Sequence, residues 1–127
     1  MSRLSFLDKY AVDGKHYDSD REINKALRSV DFEVRSNAAK SPNATQAHID
    51  KALNDKDPDV QFSATENPNL STRHIDMLLN HNDWTFRASV AKHPNVTRNQ
   101  LEKALNDENA IVRREATKNP SYGKYFK

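Results

Sequence analysis

The sequence contains no cysteine, which removes disulfides, thiolate metal sites, iron–sulfur ligation and cysteine nucleophiles in one step. Glycine is nearly as scarce, and Gly14 and Gly123 alone cannot build a Gly-rich loop that cradles a phosphate. Apolar side chains are thin too: Leu, Ile, Val and Phe make up 25 of the 127 residues, a fraction close to the disordered range. Disorder of that kind also calls for a large net charge, and this chain carries only +2. A narrow core shared between repeated units reconciles the two observations, because such a fold has much surface per residue. Long hydrophobic runs are missing as well. Residues Met1 to Asp8 lack the continuous apolar stretch of a signal peptide, and no segment has the length to span a bilayer. The expectation is a soluble, intracellular, cytoplasmic protein without membrane contact.

What is present is a repeat. Four of the five prolines, Pro42, Pro68, Pro94 and Pro120, are spaced 26 residues apart. Eight residues before each stand Val34, Val60, Phe86 and Val112, and four before stand Ala38, Ala64, Val90 and Ala116. Seven residues after come Ile49, Ile75 and Leu101, followed four later by Leu53, Leu79 and Leu105. Agreement across so many columns marks a repeat architecture. Within a unit, Val34/Ala38 and Ile49/Ala52/Leu53 have the i, i+3, i+4 spacing of a helix with one narrow apolar stripe.

The boundaries are written in the same columns. Asp31, Asp57, Asp83 and Asn109 precede the first helix of each unit, where a side-chain oxygen can accept an orphan backbone N–H. Pro58 fills a first helical position, where a missing N–H costs nothing. Thr45, Ser71 and Thr97 are suited to cap the second helix, and Ser19 with Glu22 has the form of a capping box. The Pro-Asn pairs break the chain between the helices. Helices this short are candidates for partly 3₁₀ geometry.

These readings predict an all-α fold, an α-solenoid of about four 26-residue two-helix repeats in a single domain spanning 1–127. An atypical N-terminal cap occupies 1–18, where Leu4, Phe6, Leu7 and Tyr10 suggest a helix, and a partial repeat occupies 19–31. Full repeats follow at 32–57, 58–83 and 84–109, and 110–127 holds a truncated repeat with an aromatic, basic tail. In that tail Gly123 stands where Thr97 caps, and Tyr122, Tyr125 and Phe126 replace the second helix. They are read either as a packing cap or as a sticky end for a partner.

The pattern Val34-Arg35, Ala38, Pro42, Leu53, Asp55 resembles the leucine-rich repeat variant family and, more loosely, HEAT-like repeats, over about residues 19–120. The resemblance implies short helices stacked into a right-handed superhelix and supplies no catalytic residue. The unit here is slightly longer than is usual in that family. The cysteine-rich iron–sulfur segment of its founding type is absent, so no cluster is carried over. Units with Pro-Asn-x-Thr and His-Ile-Asp-Lys-Ala-Leu also resemble those encoded by tailed bacteriophages, which raises the expectation of a phage origin. The partner would then be a virion component or a host factor, and the location the bacterial host cytoplasm or the virion.

Candidate chemistry is sparse. His48 and His74 share a column, but neighbouring helices lie roughly 8–10 Å apart, too far for both to ligate one ion. No His-x₃-His or His-Glu-x-x-His spacing occurs, so the five histidines are expected in bland surface roles with no metal or other cofactor. The carboxylates at Asp31, Asp57 and Asp83 have capping work that accounts for them, and no serine nucleophile motif occurs. The chain is therefore expected not to be an enzyme but a non-catalytic scaffold or adaptor that binds a protein partner, with its oligomeric state open. Trp84, at the exposed start of a helix, is read as an interface anchor or as packing on the adjacent loop, together with Tyr122, Tyr125 and Phe126 as partner-binding candidates. Phe86 is read as core. Charge is uneven: residues 58–83 carry −3 and 110–127 carry +4. The alternative is thus nucleic-acid backbone binding through Arg87, Arg113, Arg114, Lys118 and Lys124, with Tyr122, Tyr125 and Phe126 available to stack on bases. Against it, the Arg35 column is interrupted at Gln61 and the Lys40 column inverts at Glu66.

Overall fold

The structure, a computed structural model, describes residues 19–126; the expected N-terminal cap lies outside the described residues. Among them every regular element is α-helical, with no strand and no 3₁₀ segment. The helices are α1 (Asp20–Leu27), α2 (Phe32–Ala39), α3 (Gln46–Leu53), α4 (Pro58–Thr65), α5 (Thr72–Leu78), α6 (Trp84–Ala91), α7 (Arg98–Leu105), α8 (Ala110–Thr117) and α9 (Pro120–Phe126). They fall into two compact units, the first ending at Asn69 and the second beginning at Leu70. The boundary lies between the two helices of the 58–83 repeat. In the first unit α2 packs on α4 and α1 on α3, while α2 and α4 each also pack against α3. In the second, α6 packs on α8 and α7 against both, with α5 against α6 and α9 against α7.

Helices of two turns are not stable alone, so their ends and their buried stripe must hold them. Both are supplied in register. Asp31, Asp57 and Asp83 accept the N–H of the residue two further on at 2.8, 2.8 and 2.9 Å, and Asn109 accepts those of Ile111 and Val112. Asp83 also takes the Thr85 hydroxyl at 2.6 Å; these two bonds from Thr85, the hydroxyl first, hold its carboxyl below the ordinary carboxylate value. The stripe is equally regular: Ile23, Ile49, Ile75 and Leu101 are buried, as are Ala38, Ala64, Val90 and Ala116. Val60, Phe86 and Val112 are buried with them, and Phe86 stacks on the His81 ring at 4.2 Å. Val34 of the same column is only half-buried. Among the described residues its helix has a stacked first helix, α4, on one side only.

The second helices are closed by capping boxes in which the third residue reaches back. Thr45, Ser71 and Thr97 accept the N–H of His48, His74 and Gln100. In return His48 Nδ1, His74 Nδ1 and Gln100 Oε1 accept the cap residue's own N–H at 3.0, 3.3 and 2.9 Å. The histidines expected at the surface are here interior: His48, His74 and His93 are all buried. At the N-terminal end, Glu22 instead accepts the Ser19 hydroxyl at 3.3 Å while Ser19 caps its N–H. Because Gln100 fills the column natively, His48→Gln is expected to leave stability within about 0.5 kcal/mol, whereas His48→Ala costs about 1 kcal/mol. Urea unfolding of the two variants checks the order.

A second buried column stands immediately before the prolines: Ser41, Asn67, His93 and Asn119. Each accepts the N–H two residues on, from Asn43, Asn69, Asn95 and Ser121, at 2.8 to 3.2 Å, and so fixes the turn that the proline opens. Asn67 then donates across to the carbonyls of Ala39 and Ser41 at 2.8 and 2.9 Å, and Asn119 does the same to Ala91 and His93 at 2.8 and 3.0 Å. The asparagine after the proline adds a parallel rung, Asn69 to Pro42 and Ala44, and Asn95 to Leu70. These turns therefore break the helix and, within each unit, are also tied to the preceding stretch of backbone by asparagine side chains.

Candidate binding surfaces

The Arg35 column does not form a phosphate-facing row. Arg35, Gln61, Arg87 and Arg113 each turn back and donate to the carbonyl six residues earlier, at 2.8, 2.5, 2.7 and 2.6 Å. Two of them go further. Arg35 Nε meets Asp55 at 3.0 Å and Arg87 Nε meets Asp107 at 2.9 Å, with a longer second bond in each case. Both pairs are about nine-tenths buried at the side chain. Desolvation would raise the Asp107 carboxyl, but the Arg87 hydrogen bond, the Asn109 N–H and the charges of Arg87 and Arg113 outweigh it and hold it below the ordinary value. Arg87 thus differs from the sequence expectation: its guanidinium is spent inside the fold, so it is not part of an exposed basic surface. Arg113, Arg114, Lys118 and Lys124 are exposed.

Each ion pair floors an open hollow. In the first unit Leu27, Arg28, Val30, Arg35, Asp55 and Lys56 line one of about 400 Å³. In the second unit Leu79, Asn80, Asn82, Arg87, Asp107 and Glu108 line one of about 360 Å³. Every one of these positions in the second hollow lies 52 residues, two repeats, after its counterpart in the first. The frame is the same and the rims differ. The first rim carries Arg28, Val30 and Lys56, all exposed, with Val30 wholly so. The second carries Asn80, which accepts from Lys103 at 2.6 Å, and Glu108, 3.8 Å from Arg87.

These hollows were not anticipated from sequence, although a signal was present. Arg35 to Asp55 and Arg87 to Asp107 are both separations of twenty, and where Gln61 replaces arginine the residue twenty further on is His81 and not aspartate. His81 keeps the local part of the aspartate's task, its Nδ1 accepting the Asp83 N–H at 3.0 Å as Asp55 and Asp107 accept those of Asp57 and Asn109.

The partner candidates fall in two places. Trp84 is 39% exposed at the first position of α6, and Phe32, in the same column, is 42% exposed at the first position of α2. Tyr122, Tyr125 and Phe126 lie on α9, a helix where the sequence suggested its replacement. Asn119 caps it and Pro120 opens it, so the chain passes into helix directly after α8 without the extended step seen after Pro42, Pro68 and Pro94. The three rings are half-buried; Phe126 packs beside Tyr122 at 5.8 Å and under Arg98 of α7 at 5.6 Å, and Lys124 lies 5.3 Å over Tyr125. Among the described residues no group of three or more His, Asp or Glu side chains is arranged to hold a metal ion, and no helix is long and apolar enough to cross a membrane.

The fold and these surfaces define an all-α protein of repeated helix pairs. No family model, curated protein or solved structure matches the chain.

Proposed function

We propose that this chain is a non-catalytic scaffold or adaptor of the leucine-rich-repeat-variant or HEAT-like kind, which binds a protein partner in the cytoplasm. The supporting observation is the division of labour within each column. Buried polar side chains such as Asn67, Arg87 and Asp107 are engaged in holding repeats together and His74 in closing its own helix, while exposed positions of the same frame vary in charge and shape. Trp84 is the anchor, since exposed aromatics that become buried on association often dominate interface energy. The resemblance to phage-encoded units makes a virion component or a host factor the partner of first interest. Affinity capture from the source cell should recover one defined protein, and Trp84→Ala should reduce recovery at least fivefold. Full recovery with Trp84→Ala and with truncation after Asn119 would remove both anchor sites.

A nucleic-acid reading is favoured by one observation, the exposure of Arg113 and Arg114 on α8, Lys118 at its C-cap and Lys124 on α9, which carries three half-buried rings. Duplex and single-stranded DNA titrations at two salt concentrations decide it, because phosphate contacts weaken steeply as salt rises. Binding that is absent or insensitive to salt excludes it.

A further inference from the structure

We infer that the hollow of the first unit is a docking site for an acidic, partly apolar peptide segment of a partner protein. This rests on the scaffold reading and narrows it to a place and a chemistry. The two hollows are the same construction, with leucine and a buried Arg–Asp pair in matching positions, so whatever differs at their rims sets what each accepts. In the first, three cations (Arg28, Arg35, Lys56) face one carboxylate, Asp55; in the second, one cation, Arg87, faces the two carboxylates Asp107 and Glu108.

Arg35 and Asp55 satisfy each other, which leaves Arg28 and Lys56 as the charges available to a ligand. Both are exposed, and among the described residues no carboxylate pairs with either. On the same rim Val30 is fully exposed, and the buried Leu27 forms part of the wall. An exposed valine beside two cations that no described carboxylate pairs is complementary to a segment carrying both carboxylate and aliphatic side chains. It suits a nucleic-acid backbone less well. A phosphodiester chain could pair with the two cations but has no apolar group to cover the exposed valine. Rim charges of this kind steer association and set salt dependence more than they add raw affinity, so binding by one segment is weak and is lost on charge reversal.

The test uses the full chain, ¹⁵N-labelled, with the acetylated and amidated hexapeptide Asp-Leu-Asp-Leu-Asp-Leu as probe. The amide signals of residues 27–30 and 54–56 should shift with peptide, and those of 79–82 and 106–108 should not. Arg28→Asn with Lys56→Glu gives the first hollow the second's rim charges while keeping Val30, and should weaken the peptide about tenfold or more. Both positions are exposed, and unchanged far-UV circular dichroism shows that the variant folds. The reciprocal change, Asn80→Arg with Glu108→Lys, should create peptide-dependent shifts at 79–82. Shifts that survive the first double variant, or that arise equally with a Lys-Leu peptide, overturn the proposal. So does a DNA dodecamer that moves the same residues when the acidic peptide does not, or concentration-dependent shifts there without peptide, which mean a second copy occupies the hollow. Protein capture that fails with Trp84→Ala but persists with Arg28→Asn/Lys56→Glu leaves the scaffold reading standing and removes this site from it.

Discussion

Asn67→Asp, a change of one amide nitrogen to oxygen, is expected to destabilise the first unit by about 3–4 kcal/mol at neutral pH. The Asn67 side chain is fully buried, and its amide donates to Ala39 O and Ser41 O while its oxygen accepts the Asn69 N–H. Aspartate keeps the acceptor and the shape. It brings an ionised oxygen against two carbonyl oxygens in a site closed to bulk solvent. Asn67→His is the control, since His93 fills the same buried column and accepts the same turn N–H; it adds volume but no ionised oxygen, and should cost about 1–3 kcal/mol, less than Asn67→Asp. Urea unfolding measures both. The Asn67→Asp deficit should narrow on acidification, when the protonated carboxyl regains one donor. Equal losses for the two variants would mean that the ionised oxygen adds nothing to the loss of the native amide.

Asp107→Ala should cost about 3 kcal/mol and lower the unfolding midpoint of the second unit accordingly. The Arg87 guanidinium would keep its carbonyl partners His81 O and Asn82 O, but at a side-chain exposure of 11% it would lose its buried charge partner and keep only the exposed Glu108 carboxylate at 3.8 Å. The value is set at the lower end of the range for broken buried pairs because both tips reach an open hollow. Arg87→Gln with Asp107→His, the residues the chain itself carries at Gln61 and His81, should recover at least half of the loss. A double-mutant cycle with no coupling between the two positions would show that the pair contributes nothing beyond its separate parts.

The sign of the pH effect follows from the direction of the shift. The Asp107 carboxyl lies below the ordinary value of 3.8 in the folded chain. Its contribution is therefore complete at pH values above that of the unfolded carboxylate and fades as pH falls through the lower folded value. The stability gap between wild type and Asp107→Asn should be constant from neutral pH down to about pH 5 and close below about pH 4. A gap that widens on acidification would contradict the pairing.

How far these features were legible in the sequence depends on the distance over which each is decided. Helix boundaries, caps and core columns are set within four residues of chain, and here they are written four times at one period. Asp31, Asp57, Asp83 and Asn109 cap as read, Ile49, Ile75 and Leu101 are buried as read, and Phe86 is core while Trp84 is exposed. The aromatic tail is helical, where the sequence suggested that it replaces the second helix. Gly123 and the missing Thr cap argued against a helix, whereas Pro120 and the Asn119 cap were sufficient to start one at once.

The chain by itself thus determined the class of fold and the period, because apolar spacing and capping chemistry act locally and each recurrence confirms the last. Tertiary structure alone decided the fate of the polar columns. Arg87 and Arg113 are the same residue in the same register, yet Arg87 is buried against Asp107 while Arg113 keeps only its carbonyl bond and stands exposed. Arg35, Asn67 and Asn119 likewise meet their partners only when stacking brings together groups 20 to 28 positions apart. The physical reason is that a hydrogen-bonding side chain has no face preference of its own. Whether it meets water or a buried partner is fixed only when the next repeat closes over it.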